Sequence, residues 1–151
     1  MIVKSLDHLK LISQKIAENT SAKDCIFLIG EIGVGKTTFT RSLINYFQRR
    51  EGVAQTEVLS PTFNLLYEYD IKSLKVMHYD LYRIKKTLEL DQLDIFNRNT
   101  DSIKIIEWPQ LIEADITDRL ELHLSYASNE NERNLSLKGK GKWRKFKLDE
   151  L

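Results

Sequence analysis

Residues 30–37 read Gly-Glu-Ile-Gly-Val-Gly-Lys-Thr, and this octapeptide constrains the fold more than any other feature of the chain. It satisfies G-x-x-x-x-G-K-[ST] in full, and its surroundings have the order that pattern requires. Cys25-Ile26-Phe27-Leu28-Ile29 precedes it as a continuous apolar run of strand length, as expected of a strand buried on both faces. Residues 36–50 follow as a helix with Phe39, Leu43, Tyr46 and Phe47 on one stripe and Gly52 as a stop. Small residues let the backbone curl so that successive N–H groups point at a phosphate, and the helix adds its positive end to the same anion. Within the loop, Gly33, Val34 and Gly35 shape the cradle. Lys36 brings a mobile charge for β- and γ-phosphates, the Thr37 hydroxyl suits Mg²⁺, and Thr38 offers a further hydroxyl and amide.

The remaining chain predicts a small α/β domain with a sheet of mixed direction. Leu6, Leu9, Ile12 and Ile16 recur at helical spacing behind Ser5, a natural N-cap, so 6–18 reads as an amphipathic helix. Residues 64–71 and 74–80 read as strands joined at Lys72-Ser73, and 87–96 as a short amphipathic helix with Leu90 and Leu93 inside. Residues 103–106 form another buried strand. Leu120, Leu122 and Leu124 alternate with Glu121, His123 and Ser125 in a half-exposed one, and 134–137 returns as an edge strand. With 151 residues, 42% of them hydrophobic, the chain has enough apolar material for one core. The single Cys25 excludes an internal disulfide and a Cys-based zinc cluster within one chain, and no run approaches the ~20 apolar residues of a membrane span. A soluble cytoplasmic domain is the expectation.

A phosphate-bound Mg²⁺ needs a carboxylate near the end of a neighbouring strand. Asp80, closing 76–80, and Glu107, closing 103–107, both fit, and the sequence does not divide the roles of metal support and water alignment between them. Ser60-Pro61-Thr62-Phe63 combines a fixed backbone with the Thr62 hydroxyl, which suits a segment that senses a γ-phosphate. Arg83 is a candidate phosphate contact but reads at least equally as exposed surface with Lys85 and Lys86. His78 and His123 read as ordinary strand side chains, since neither has a second ligand at metal spacing. No N-K-x-D motif for guanine occurs. From the residues alone, a small-molecule kinase and a nucleotide-gated interaction module with little turnover stand beside an ATP hydrolase.

Taken together, 30–38, Ser60-Pro61-Thr62-Phe63, His78-Tyr79-Asp80-Leu81-Tyr82-Arg83 and Ile106-Glu107-Trp108-Pro109 closely resemble the TsaE (YjeE) family of small bacterial P-loop ATPases, over roughly residues 5–125. The resemblance implies a three-layer P-loop NTPase-like fold with a mixed parallel and antiparallel sheet. It implies Mg-dependent ATP hydrolysis, weak in the isolated chain. It also implies work with TsaD and TsaB in forming threonylcarbamoyladenosine beside the anticodon of tRNAs that read codons beginning with A. Carried onto this sequence, it assigns nucleotide binding to Gly33, Val34, Gly35, Lys36, Thr37 and Thr38. Metal association falls to Thr37 and Glu107 with Asp80, and the switch-like threonine is Thr62.

Charge divides the chain unevenly. Lys138, Lys140, Lys142, Arg144, Lys145 and Lys147 fall within ten residues that hold no acid; without them 17 basic residues face 22 acidic ones, a net of −5. This predicts a P-loop domain over 1–137 and a basic C-terminal tail over 138–151. The tail reads either as a solvated terminus or as a flexible arm for RNA phosphates, with Trp143 and Phe146 available for stacking.

Overall fold

The computed structural model describes residues 1–148; of the expected tail, 149–151 lie outside the described residues. A seven-stranded sheet has the order β1-β7-β6-β2-β5-β4-β3. The strands are β1 (Ile2–Val3), β2 (Cys25–Ile29), β3 (Leu66–Ile71), β4 (Leu74–Asp80), β5 (Ile103–Glu107), β6 (Arg119–Tyr126) and β7 (Arg133–Lys140). The four central strands, β6-β2-β5-β4, run parallel. Hairpins add β3 and β7 antiparallel on the two sides, and β1 pairs outside β7. This is the mixed sheet expected from the sequence.

Each face of the sheet carries its own apolar layer, which makes three layers. Ile26 and Leu28 of β2 and Leu120, Leu122 and Leu124 of β6 point to the face covered by α1 (Leu6–Asn19) and α2 (Lys36–Arg50). Cys25 and Phe27 point the other way, with Met77, Tyr79 and Ile106, beneath α3 (Thr87–Leu93) and the apolar residues of 108–116. β2 sits at the middle of both layers, which is why it reads as unbroken apolar sequence. The α1 helix begins as expected: the Ser5 hydroxyl accepts from the His8 amide at 3.1 Å, and Leu9, Ile12, Ile16 and Ala17 form its buried stripe.

Four expectations change in the structure. The strand after the Ser60-Pro61-Thr62-Phe63 segment starts at Leu66 rather than 64, because Leu65 takes a left-handed φ of 66° and its amide closes a turn onto the Pro61 carbonyl at 2.6 Å. The α3 helix stops at Leu93, since Asp94 adopts φ 51°; Ile95 reaches the same apolar layer from outside the helix. The strand β7 is not at the sheet edge, because Ile2 and Val3 pair outside it and the Met1 amine donates to the Leu135 carbonyl at 2.9 Å. Two residues are too few for a periodicity signal.

The fourth change concerns the expected boundary at Leu137, which falls inside β7. The chain continues the strand to Lys140 and then forms a 3-10 helix, Gly141–Lys145, so 138–148 belong to the folded body. Trp143 is only 2% exposed and inserts into the helix-side core, with Phe146 edge-to-face against it at 5.0 Å. Trp143 is not presented for stacking on a base, and Phe146 is half-buried against it. Gly139 permits this close return: a Cβ there would lie 1.9 Å from the Trp143 carbonyl oxygen.

Candidate functional site

The parallel register sets the site. Glu107 lies opposite Leu28 across β2–β5 and opposite Asp80 across β4–β5, so both acids stand at the carboxyl ends of the strands where the 30–35 loop begins. Alternation then selects the face. Ile26 and Leu28 of β2, Val76 of β4, and Ile103 and Ile105 of β5 point toward α2. His78 and Asp80, two and four residues beyond Val76, and Glu107, two beyond Ile105, share that side. The first turn of α2 meets them there.

Gly35 caps α2 in the left-handed region, φ 116°, with no side-chain capping bond and nothing within 4 Å of where a Cβ would lie. The helix therefore presents uncapped N-terminal amides to an open cleft, which is the arrangement that binds an anion. The cleft is about 290 Å³ and is lined by Gly33, Gly35, Lys36, Thr37 and Thr38 on one side and by Ser60, Thr62, Asp80, Glu107 and Trp108 on the other. Val34 differs from its neighbours in the loop. Its side chain is buried in the helix-side core, and its amide turns back to the Glu31 carbonyl at 3.3 Å.

Lys36 donates to the carbonyls of Gly30 and Glu31 at 2.7 and 2.8 Å, and its ammonium stands 4.1 Å from the centre of the Trp108 ring. Burial draws its pKa below the ordinary lysine value, while Glu107 and Asp80 act in the opposite sense. Trp108 reaches this position through a left-handed backbone, φ 58°, and its indole leans on Tyr82 with ring centres 4.9 Å apart.

The two carboxylates have different partners. Glu107 accepts from the Thr37 hydroxyl at 3.0 and 3.2 Å and pairs with His78 Nε2 at 2.9 Å. Asp80 Oδ2 accepts from Ser60 at 3.0 Å and Thr62 at 2.7 Å, and its Oδ1 accepts from the Tyr82 amide at 3.0 Å. Glu107 is thus tied to the phosphate loop, whereas Asp80 ties down the Ser60-Pro61-Thr62-Phe63 segment. The donor set suits a hard cation: Thr37 and Glu107 offer oxygen only. Among the described residues no group of three or more His, Cys, Asp or Glu is placed to hold a metal ion alone. A small set of protein oxygens is the kind that Mg²⁺ takes beside water and phosphate oxygens.

The structure brings together Lys36, Thr37, Thr38, Thr62, Asp80 and Glu107, as expected from the sequence. Arg83 stands outside the cleft, its guanidinium over the Phe63 ring at 5.3 Å. Sequence reasoning missed His78. The signal was present: two residues before Asp80 in one strand, it had to share Asp80's face. It also passed over Trp108 as a ring for Lys36, a contact that depends on the left-handed turn.

Comparison with known proteins agrees with this geometry. A family model described as "Threonylcarbamoyl adenosine biosynthesis protein TsaE" matches residues 3–135. Proteins named "tRNA threonylcarbamoyladenosine biosynthesis protein TsaE" are similar to this chain in several bacteria. That of Rickettsia typhi is 35% identical over 130 residues, covering 85% of this chain and 87% of its own. That of Bacillus subtilis is 30% identical over 144 residues, covering 94% and 86%. The crystal structure of Bacillus subtilis YdiB superposes with a TM-score of 0.72 at 25% identity, over 94% of this chain and 85% of that one. A P-loop closed by Thr37 and Glu107, a parallel core with antiparallel margins and a match over most of the length lead to one conclusion: the chain belongs to the TsaE family.

Proposed function

We propose that this protein binds ATP with Mg²⁺ and hydrolyses it in the cytoplasm. The hydrolysis serves the formation of the threonylcarbamoyl group on the adenosine beside the anticodon of tRNAs reading codons that begin with A, with TsaD and TsaB as partners. The observation that carries the reading is the Thr37–Glu107 contact beside Lys36 at the uncapped start of α2. There the loop amides and Lys36 bind the phosphate chain. Thr37 and Glu107 would hold Mg²⁺, which supplies charge neutralisation at the phosphates when bound. His78 keeps the Glu107 carboxylate oriented, and Asp80 positions Thr62 at the phosphate end of the cleft, where its hydroxyl can align a water.

A second cavity of about 180 Å³ lies behind the loop and shares Gly33, Gly35 and Thr38 with the phosphate cleft. Leu6 and Leu9 supply apolar wall and Ser5, Asn131 and Arg133 polar edges, a combination suited to an adenosine. The test is release of inorganic phosphate from ATP by the purified chain, with and without TsaD and TsaB. Slow release by the chain alone and marked stimulation by the two partners are expected. Phosphate appearing on a small acceptor instead of in solution would favour a kinase and overturn the reading.

A further inference from the structure

We infer that the ordered C-terminal element, residues 138–147, is a cationic docking surface for RNA phosphates, set at the end of the sheet opposite the nucleotide cleft; this rests on the tRNA reading above. The placement follows from three contacts. The Lys142 amide donates to Asp118 Oδ1 at 2.9 Å, and the Lys142 ammonium donates to the Asn19 carbonyl at 3.1 Å and to the Ser21 hydroxyl at 2.8 Å. Asp118 and Asp24 flank the amino ends of β6 and β2, whereas the cleft is built at the carboxyl ends of β2, β4 and β5. A ligand on this surface leaves the cleft open.

The six cations divide into two kinds. Lys142 forms an ion pair with the buried Asp24, and Lys140 pairs with Asp115, so these two fasten the element to the body. Lys138, Arg144, Lys145 and Lys147 are exposed and form no ion pair with an acid among the described residues. Trp143 in the core and the close return at Gly139 hold these four on folded chain. Fixed charges lose less conformational freedom on binding than an extended arm would. Trp143 is buried and Phe146 is half-buried edge-on against it, so the surface offers mainly charge. The fitting partner is therefore a phosphate backbone bound without sequence preference. The element lies beyond residues 3–135, the span matched by the family model.

The test uses the full chain and unmodified tRNA across a salt series, comparing wild type with a variant carrying Lys138→Ala, Arg144→Ala, Lys145→Ala and Lys147→Ala. Each phosphate contact contributes ~0.7–0.9 to the slope of log affinity against log salt, so the variant should lose about 3 in slope if all four engage. A second variant, Lys138→Arg, Lys145→Arg and Lys147→Arg, should keep the wild-type slope, and an unrelated RNA duplex should bind wild type as tRNA does. Equal slopes for wild type and the alanine variant would overturn the proposal. So would salt-dependent binding to TsaD or TsaB, in place of tRNA, that the alanine variant loses. ATP hydrolysis with TsaD and TsaB, measured in parallel, separates the two readings. Stimulated hydrolysis with unchanged slopes removes the RNA surface alone, and absent stimulation removes the ATPase reading.

Discussion

Asp80→Ala should release the Ser60-Pro61-Thr62-Phe63 segment without unfolding the domain. Asp80 is 3% exposed and accepts three hydrogen bonds, two from the hydroxyls of Ser60 and Thr62 and one from the Tyr82 amide. A hydrogen bond to a buried charged group is worth roughly 1.5–3 kcal/mol. Ser60 is exposed and Thr62 half-buried, so water replaces much of what their hydroxyls lose, and about 1 kcal/mol each is the appropriate discount. The two together make local opening easier by ~2 kcal/mol, or about 30-fold in the opening equilibrium. The turn from Leu65 to Pro61 and the Arg83 contact to the Phe63 carbonyl remain, which keeps the change local. Amide hydrogen exchange reads it at Leu65, whose amide is held by the Pro61 carbonyl while the segment is closed: it should exchange about 30-fold faster, with the amides of β2 and β5 unchanged. Exchange of the Leu65 amide within threefold of wild type would refute the idea that Asp80 orders this segment.

Lys36→Met should cost ~10²–10³ in partner-stimulated turnover, the usual scale for one electrostatic contact to the transition state, while thermal unfolding stays cooperative, since the relief of a desolvated charge offsets the loss of its two carbonyl contacts. Glu107→Gln should shift the Mg²⁺ titration of hydrolysis to higher concentration; unchanged Mg²⁺ dependence with unchanged turnover would separate Glu107 from the metal. Burial also lowers the pKa of Lys104, so the unfolded chain binds its proton more tightly and stability should rise with pH in the window just below 10.5. Denaturant unfolding across that window should show a smaller rise for Lys104→Met. Gly139→Ala places a Cβ against the Trp143 backbone and should destabilise the fold by ~1–3 kcal/mol, with a red shift of tryptophan emission as Trp143 gains water.

The core of the fold and most of the site were legible because they depend on local sequence. A five-residue apolar run, a glycine loop and a 15-residue amphipathic helix specify a phosphate cradle with little help from distant chain. Glu107 and Asp80 were legible for a related reason: each terminates a buried strand, and parallel pairing brings strand ends together. What escaped depends on contacts remote in sequence. The Ile2–Val3 strand forms only because β7 offers it a partner some 130 residues later, and the fate of 138–147 is set by Asp24, Asp115 and Asp118. Composition sees six cations without an acid and reads a solvated terminus or a flexible arm; the fold supplies acids from elsewhere to Lys140 and Lys142 and buries Trp143 in the helix-side core.

His78 shows the same limit inside the site. Its sequence neighbourhood is an ordinary strand, and only the sheet reveals that its Nε2 meets Glu107 while its Nδ1 is buried without a partner. A buried nitrogen left without a hydrogen is better tolerated than a buried N–H with no acceptor, so the proton belongs on Nε2, donated to the carboxylate. That assignment joins two halves of the site: β4 supplies the donor, β5 the acid, and α2 the Thr37 hydroxyl that shares it. The phosphate loop is thereby held to the sheet by a polar chain whose members lie 29 and 70 residues apart in sequence. Asp80, two residues along from His78 on the same strand, holds the Thr62 segment in the same way. One strand therefore governs both walls of the cleft, and a displacement of β4 would move the loop and the switch-like segment together.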